Sequence, residues 1–217
     1  PPLTLYRFTT GVGLMTQRCT PLSWAVFIAG ASSASFTVHA AEVDATWNGG
    51  IGDWDDSGFW TYDVGIPGFP NNGIDTFDVT IDGDPGVNSQ VTIAAGNITV
   101  DSIDIGSGDT LIINNNRILT IVQDGARPDS GIINNEGEIQ LNSLGNFTQL
   151  SVTGDVSLNG GGAVTLGDAL NNRISGSGSL TNSGNTIQGA GNIGANSVEI
   201  INQAGGIVIA AHVNSSN

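Results

Sequence analysis

Residues 133–139 read Ile-Asn-Asn-Glu-Gly-Glu-Ile, and a similar order of apolar residue, Asn, small or polar residues and apolar residue returns at 158–164 and 201–207. Looser copies lie at 113–118 and 181–184. The asparagines of the five copies are 20, 25, 23 and 20 residues apart; they are Asn114, Asn134, Asn159, Asn182 and Asn202. Such a period is typical of a solenoid, in which each repeat buries its apolar side by stacking on its neighbours.

Short alternations of apolar and polar residues fill the chain from residue 76 to residue 210, for example at 77–81, 118–121 and 138–141. This period of two predicts half-buried strands, and no stretch shows a sustained helical period. Regular short strands fit an antiparallel sandwich or a parallel β-helix. The repeat favours the β-helix, because a sandwich has no reason to restore Asn at every third strand.

We therefore predict an all-β protein with parallel β-helix repeats over residues 76–217. The five repeated asparagines are expected to occupy the same turn of successive coils and to form a structural ladder of side-chain amides. Residues 210–217 contain no aromatic or charged residue that could close the last coil. We expect the natural product to continue beyond them with further repeats of its own chain.

Residues 41–75 differ in composition from the repeats, because they contain Trp47, Trp54 and Trp60 together with Gly- and Pro-rich turns. One interpretation is an N-terminal cap, in which the aromatic rings cover the first coil of the solenoid. The other is a carbohydrate-binding module. In that case the three indoles and Tyr62 would form an exposed platform that stacks on sugar rings.

Residues 1–40 read as upstream residues followed by a cleaved secretory signal peptide, with Met15 as a candidate start. The apolar stretch 22–31 is too short to cross a bilayer, and Val38-His39-Ala40 is a suitable cleavage pattern before Ala41. The single cysteine, Cys19, lies in this leader. We therefore predict a secreted protein or one at the outer cell surface, without disulfides.

The charge of the chain is strongly negative. Residues 41–217 contain three arginines, no lysine and all 20 acidic residues, a formal net charge of −17. Such a surface repels nucleic acid and anionic lipid headgroups, so we expect neither nucleic-acid binding nor membrane insertion by this segment. It is compatible with divalent cations and with neutral glycans.

One stretch contains the first half of a calcium-binding loop, with Asp53, Asp55 and Ser57 as candidate ligands. A complete loop needs Glu at the twelfth position, where this chain has Val64. A solvated turn is the simpler interpretation. We therefore expect no cofactor, with Ca²⁺ as the alternative.

No catalytic set can be assembled from the residues that follow the leader. His212 is the only histidine there, and the three arginines fall on three different predicted coils, none of them expected in an Asp-rich group. We therefore predict that the protein is not an enzyme. A polysaccharide-acting enzyme on a β-helix is the alternative, and it would need Arg117 or Arg173 beside paired carboxylates in a cleft.

Residues 172–182 and 185–194 resemble the repeats of large bacterial secreted β-strand-repeat proteins. These are the autotransporter-passenger and filamentous-haemagglutinin-like surface proteins of Gram-negative bacteria. Residues 46–54, with Trp60 and Pro70, are similar to the Trp-rich opening of such proteins. The resemblance implies a right-handed parallel β-helix, export, and adhesion or cell-surface structure, and it supplies no catalytic residue.

The sequence thus predicts a secreted or surface-displayed β-helical stalk or adhesin segment without catalysis. Its partners would be surface glycans or proteins of a host or of the environment. The predicted contact regions are the loops at 123–130 and 142–147, which interrupt the coils.

Overall fold

The computed structural model describes residues 41–65, 68–81, 86–195 and 197–210. The predicted leader and His212 lie outside these residues. The described strands are β1 (Glu42–Trp47), β2 (Ile51–Asp53), β3 (Trp60–Tyr62), β4 (Thr76–Ile81), β5 (Gln90–Ile93), β6 (Ile98–Val100), β7 (Ser102–Ile105), β8 (Thr110–Asn114), β9 (Ile118–Val122), β10 (Ile132–Asn135), β11 (Glu138–Asn142), β12 (Thr148–Asn159), β13 (Ala163–Leu166), β14 (Asn172–Asn182), β15 (Thr186–Gly189), β16 (Asn192–Ile193), β17 (Val198–Asn202) and β18 (Ile207–Ala210). One short 3-10 helix spans Ser57–Phe59.

The strands form a parallel β-helix of about five turns, which confirms the predicted fold class. Face 1 consists of β1, β4, β7, β10, the second halves of β12 and β14, and β17. Face 2 consists of β2, β5, β8, β11, β13, β15 and β18. Face 3 consists of β6, β9, the first halves of β12 and β14, and β16. Every described pairing is parallel except that of β3 with β1.

The core is built from rows of aliphatic side chains that repeat from coil to coil. On face 2 the pairing register stacks one such row, whose buried members are Val91, Leu111, Ile139, Val164 and Ile187. Each of these side chains contributes about 1.5–3 kcal/mol by leaving water. Alternate residues point to solvent, which is why the sequence shows a period of two.

The glycines of the repeat lie where successive coils approach most closely, at the corner between face 1 and face 2. A Cβ atom on Gly162 would lie 2.3 Å from the carbonyl oxygen of Gly137, and one on Gly137 would lie 2.3 Å from the carbonyl oxygen of Asp109. The backbone N–H of Ala163 donates to that same oxygen of Gly137. Glycine is therefore required here by contact between backbones.

The prediction of a single five-membered asparagine ladder is wrong. Asn114 lies on face 2, whereas Asn134 and Asn159 pair with each other at the solvent side of face 1. Asn182 and Asn202 pair with each other on face 1 as well. The ladder is replaced by two separate pairs, with Nδ2 to Oδ1 distances of 3.3 Å for Asn159 to Asn134 and 2.9 Å for Asn182 to Asn202.

The cause is the pairing register between β12 and β14, which differs by one residue from the register that would place Asn182 beside Asn159. Asn182 is paired with Leu158 rather than with its neighbour Asn159. Because side chains alternate between the two sides of a sheet, a shift of one residue turns Asn182 into the core. The spacing of asparagines along the sequence does not distinguish the two orientations.

Asn182 instead belongs to a buried amide network with Asn135 and Asn185, and all three side chains are fully buried. The Nδ2 of Asn135 donates to the Oδ1 of Asn185 at 2.8 Å. The Nδ2 of Asn182 donates to the carbonyl oxygen of Asn185, whose N–H in turn donates to the Oδ1 of Asn182. Hydrogen bonds replace those lost to water for the amides of Asn182 and Asn185, whereas the Oδ1 of Asn135 has no partner among the described residues. The network joins the two faces at their shared corner.

The first coil ends in aromatic side chains. β3 lies antiparallel along the edge of β1, and Trp47, Trp54 and Trp60 are buried beside it. The ring of Trp60 packs against both other indoles at centroid distances of 5.0 and 5.1 Å, and Phe59 stacks on Trp47 at 4.5 Å. This arrangement fits the predicted cap, which stays a prediction.

Candidate functional site

The surface of the described β-helix is interrupted at the corner between face 2 and face 3 by two stacked loops. Residues 143–147 join β11 to β12, and residues 167–171 join β13 to β14 on the next coil. We call these two loops, together with Arg173, the loop ridge. Residues 142–147 were one of the two regions that the sequence predicted as contact regions.

The loop ridge holds apolar side chains out in solvent. Leu144 is 85% exposed, Leu170 is 74% exposed and Phe147 is 52% exposed. The guanidinium of Arg173 lies 3.4 Å above the centroid of the Phe147 ring, which places a cation over one aromatic face. Grouped exposed apolar residues of this kind mark interaction sites, whereas isolated ones carry little information.

Hydrogen bonds hold the ridge in place. The N–H groups of Leu144 and Asn146 both donate to the Oδ1 of Asn115, at 2.8 and 3.2 Å. The Nδ2 of Asn171 donates to the carbonyl oxygen of Gly145, which ties the second loop to the first. The apolar side chains are therefore presented by fixed backbone, so a ligand would not need to order these loops.

A groove of about 520 Å³ runs beside the ridge. Leu144 lines one side of it, and the side-chain amides of Asn114 and Asn142, which are paired across β8 and β11, lie on the same groove with Asp168. The groove combines apolar surface with hydrogen-bonding groups. This combination suits an uncharged, hydroxyl-rich or peptide-like ligand.

A second cluster lies where the loop 123–131 crosses face 1. Arg127 forms ion pairs with Glu42 at 3.0 Å and with Asp78 at 3.1 Å, and it also pairs with Asp101. Asp101 is the most buried of the three carboxylates, with its side chain 2% exposed. The Nδ2 of Asn72 donates to Asp101 at 2.6 Å. This contradicts the prediction that no arginine lies in an Asp-rich group.

The protonation equilibria of this cluster are shifted. A hydrogen bond with Asp78, and then burial, raise the pKa of Glu42. Burial raises the pKa of Asp101, against the lowering effects of Asn72 and Arg127. Burial would lower the pKa of Arg127, but the charges of Asp101, Asp78 and Glu42 raise it above its usual value. Arg127 therefore stays charged and holds its loop against face 1.

The predicted calcium ligands Asp53, Asp55 and Ser57 are all exposed, and a calcium site at them stays a prediction. Asp53 and Asp55 line an open depression of about 460 Å³ that Ile51 and Phe59 also border. The neighbouring Asp56 is engaged locally, because its carboxylate accepts the N–H of Gly58 and caps the 3-10 helix. Among the described residues, the grouping of three acids with oxygens within 4.8 Å is Glu42, Asp78 and Asp129.

The predicted sugar-stacking platform is wrong for the three indoles. Trp47, Trp54 and Trp60 are buried, and ring nitrogens are engaged inside the protein: Trp54 donates to the carbonyl oxygen of Pro70 and Trp60 to that of Trp54, both at 2.8 Å. A buried ring offers no face to a pyranose. Tyr62 is half-buried, its hydroxyl donates to the carbonyl oxygen of Gly68, and burial raises its pKa to about 12.

The two arginines that the enzyme interpretation requires have other partners. Arg117 donates to the carbonyl oxygens of Ala94 and Asn116, at 2.7 and 3.0 Å. Arg173 covers Phe147. Within the described ranges, neither forms an ion pair with a carboxylate, so the required arrangement of Arg117 or Arg173 beside paired acids is not found there.

No family model, curated protein or solved structure matches this chain. Among the residues that the structure describes, no helix has the length and apolarity needed to cross a membrane.

Proposed function

We propose that this chain is a secreted or surface-displayed β-helical stalk whose loop ridge binds a partner at a surface, without catalysis. The observation that carries the proposal is the ridge itself, in which Leu144, Phe147 and Leu170 are exposed on hydrogen-bonded loops. The fold supports it, since in-register strands along several coils form a stiff element that can hold a contact surface away from an anchor.

The charge of the chain supports an uncharged partner surface. The 20 acidic residues beyond the leader oppose the approach of anionic polymers, whereas neutral glycans and apolar protein patches meet no such repulsion. The ridge provides apolar contact area and Arg173, and the adjacent groove provides the amides of Asn114 and Asn142. Apolar contact area bordered by polar groups is the usual composition of a binding surface.

The test measures retention of the full chain on two kinds of immobilised probe, a panel of neutral polysaccharides and a panel of extracellular-matrix proteins. The doubly substituted variant Leu144→Ser with Leu170→Ser is expected to bind about tenfold or more weakly to whichever probe retains the parent chain. Ile74→Ser is the matched control, because Ile74 is as exposed as Leu144 but lies outside the ridge. Parent-like binding by the ridge variant would refute the role of the ridge.

Export is tested separately by expressing the full chain in a Gram-negative host. Protein recovered outside the cytoplasm should begin at Ala41, the residue after the predicted cleavage site. Recovery of uncleaved chain in the cytoplasm would contradict the proposed location.

A further inference from the structure

The groove beside the loop ridge contains amide groups whose hydrogen-bonding capacity the fold leaves unused. Among the described residues, the side-chain amide of Asn142 has no hydrogen-bond partner. The Oδ1 of Asn114 accepts the N–H of Asn115 at 3.0 Å, and its Nδ2 remains available to donate. Both side chains are half-buried, so water is their remaining partner. A ligand that enters the groove has to replace this water.

The two amides are neighbours in space because the strands that carry them stack in register. Asn114 on β8 is paired with Asn142 on β11, so their backbones are about 4.8 Å apart. The next coil places Gly167 at the groove. A Cβ atom on Gly167 would lie 3.5 Å from the Oδ1 of Asn142, so glycine leaves this oxygen open to a ligand. Leu144, which is 85% exposed, provides the apolar wall.

The backbone around the groove offers nothing to an extended peptide. β11 is paired with β8 and β13, β8 is also paired with β5, and β13 is also paired with β15. Each of these three strands therefore has both edges occupied, and a peptide cannot add to them as a further strand. A ligand of this groove has to be bound through side chains.

The chemistry of those side chains selects among the remaining ligands. An apolar protein patch would remove water from the amides of Asn114 and Asn142 without replacing its hydrogen bonds, which costs free energy. A sugar hydroxyl both donates and accepts, as an amide does, so it can replace that water. Asp168 adds a carboxylate to the groove, which disfavours acidic sugars.

We propose that the groove binds a sugar unit of a neutral glycan. The amides of Asn114 and Asn142 bond to neighbouring hydroxyls, while Leu144 packs against the C–H groups of the sugar ring. This glycan would be the partner of the loop ridge, so the assignment rests on the proposed function and names its ligand.

The test is affinity electrophoresis of the full chain in gels that contain a neutral glucan, mannan, galactan or xylan, with polygalacturonate as the charged counterpart. We expect retardation in at least one neutral gel and none in polygalacturonate. Asn142→Leu should weaken the binding about tenfold or more, because the hydroxyls lose a partner while the contact area is retained. Asn142→Ala should do the same.

Asn146→Leu is the matched control. Asn146 is exposed on the same loop as Leu144, but it does not line the groove, and its backbone N–H still donates to Asn115 in the variant. This variant should bind as the parent chain does. Circular dichroism should show the same strand content and the same unfolding temperature in all three variants, because none of them removes a side-chain hydrogen bond found among the described residues.

The absence of retardation in every neutral gel would overturn the assignment of a glycan. Parent-like binding by folded Asn142→Leu or Asn142→Ala would overturn it as well, and so would loss of binding in Asn146→Leu. A further outcome separates the two proposals. If matrix proteins alone retain the chain, and Leu144→Ser with Leu170→Ser abolishes this retention while Asn142→Leu does not, the loop ridge keeps its role and the glycan is refuted.

Discussion

Replacing Arg127 by Met tests whether the loop 123–131 is held by charge. Met retains most of the length and apolar volume of Arg but leaves Asp101, Asp78 and Glu42 without their shared cation. The variant should fold into the same β-helix and unfold more easily. The loss of stability should be largest in the first coils, because the three carboxylates lie on β1, on β4 and in the segment between β6 and β7.

The magnitude follows from the burial of each carboxylate. Removing the partner of a buried charge costs about 3–5 kcal/mol, whereas an exposed pair contributes about 1 kcal/mol or less. Only Asp101, with a side chain 2% exposed, belongs fully to the first class, and Glu42, at 45%, belongs to the second. We therefore expect a loss of about 3–4 kcal/mol at neutral pH, a fall of about 10 °C in Tm for a chain of this length.

Thermal unfolding followed by circular dichroism measures this loss. Arg117→Met is the matched control, because Arg117 donates to carbonyl oxygens only, and it should lose about 1 kcal/mol. Adding Asp101→Asn to Arg127→Met should restore at least half of the stability, since the uncompensated charge is then removed. The reasoning is refuted if Arg127→Met unfolds at the parent temperature, or if Asp101→Asn restores nothing.

The pH dependence of the folding stability provides a second test of the same cluster. The folded state raises the pKa of Glu42 and of Asp101, so it binds protons more readily than the unfolded chain. Their contribution to stability is full below their ordinary pKa and is lost as pH rises through the raised values. The parent chain should therefore become more stable as the pH is lowered from 7 to about 4.5. The deficit of Arg127→Met should shrink over the same range, because Asp101 can then become neutral.

Three further predictions concern the core. Gly162→Ala should cost about 3 kcal/mol in urea unfolding, because its Cβ would lie 2.3 Å from a backbone oxygen, while Gly161→Ala, with open space around it, should be neutral. Equal effects of the two would contradict the close approach of the coils. Asn182→Ala should lower the free energy of unfolding by about 2 kcal/mol, because it removes part of the buried amide network. Asn159→Ala should lower it by less than about 1 kcal/mol, because only one exposed hydrogen bond is lost. The reverse order would contradict the pairing of Asn182 with Leu158. In a Trp24→Phe background, iodide should quench the remaining tryptophans far less than free tryptophan, because Trp47, Trp54 and Trp60 are buried, and efficient quenching would rule that burial out.

Local pattern was sufficient to predict the fold. Apolar residues at alternate positions predicted the strands, and the repeat of about 20–25 residues predicted coils that stack in parallel. The glycines of that repeat proved more informative than its asparagines. Gly137 and Gly162 occupy equivalent corners because the backbones of neighbouring coils touch there, a requirement that no other residue meets.

Side-chain direction could not be predicted from spacing. Asn159 and Asn182 are 23 residues apart, which is within the range of the repeat. Asn159 nevertheless lies at the solvent side and Asn182 in the core, because β14 pairs with β12 so that Asn182 lies beside Leu158 and not beside Asn159. The tryptophans posed the same difficulty. Aromatic residues among glycines suit a buried end and an exposed platform equally, and only the partners of the ring nitrogens distinguish them.

The Arg127 cluster was missed for a different reason. Arg127 is 85 residues from Glu42, 49 from Asp78 and 26 from Asp101 along the chain, so no sequence window contains them all. Only the winding of the coils brings β1, β4 and the loop 123–131 to one place. Pairing Arg127 with the buried Asp101 requires the coil register, which could not be read from the sequence.

The two loop regions that interrupt the coils differ in which groups they leave exposed, and this contrast supports the proposed role of the loop ridge. In the loop 123–131, the guanidinium of Arg127 forms ion pairs with Asp78 and Asp101, so this charged group is engaged within the fold. The loop ridge turns its hydrogen-bonding groups inward and leaves Leu144 and Leu170 in solvent. Because grouped apolar side chains in solvent lower solubility, their presentation on hydrogen-bonded loops supports the proposed contact with a partner.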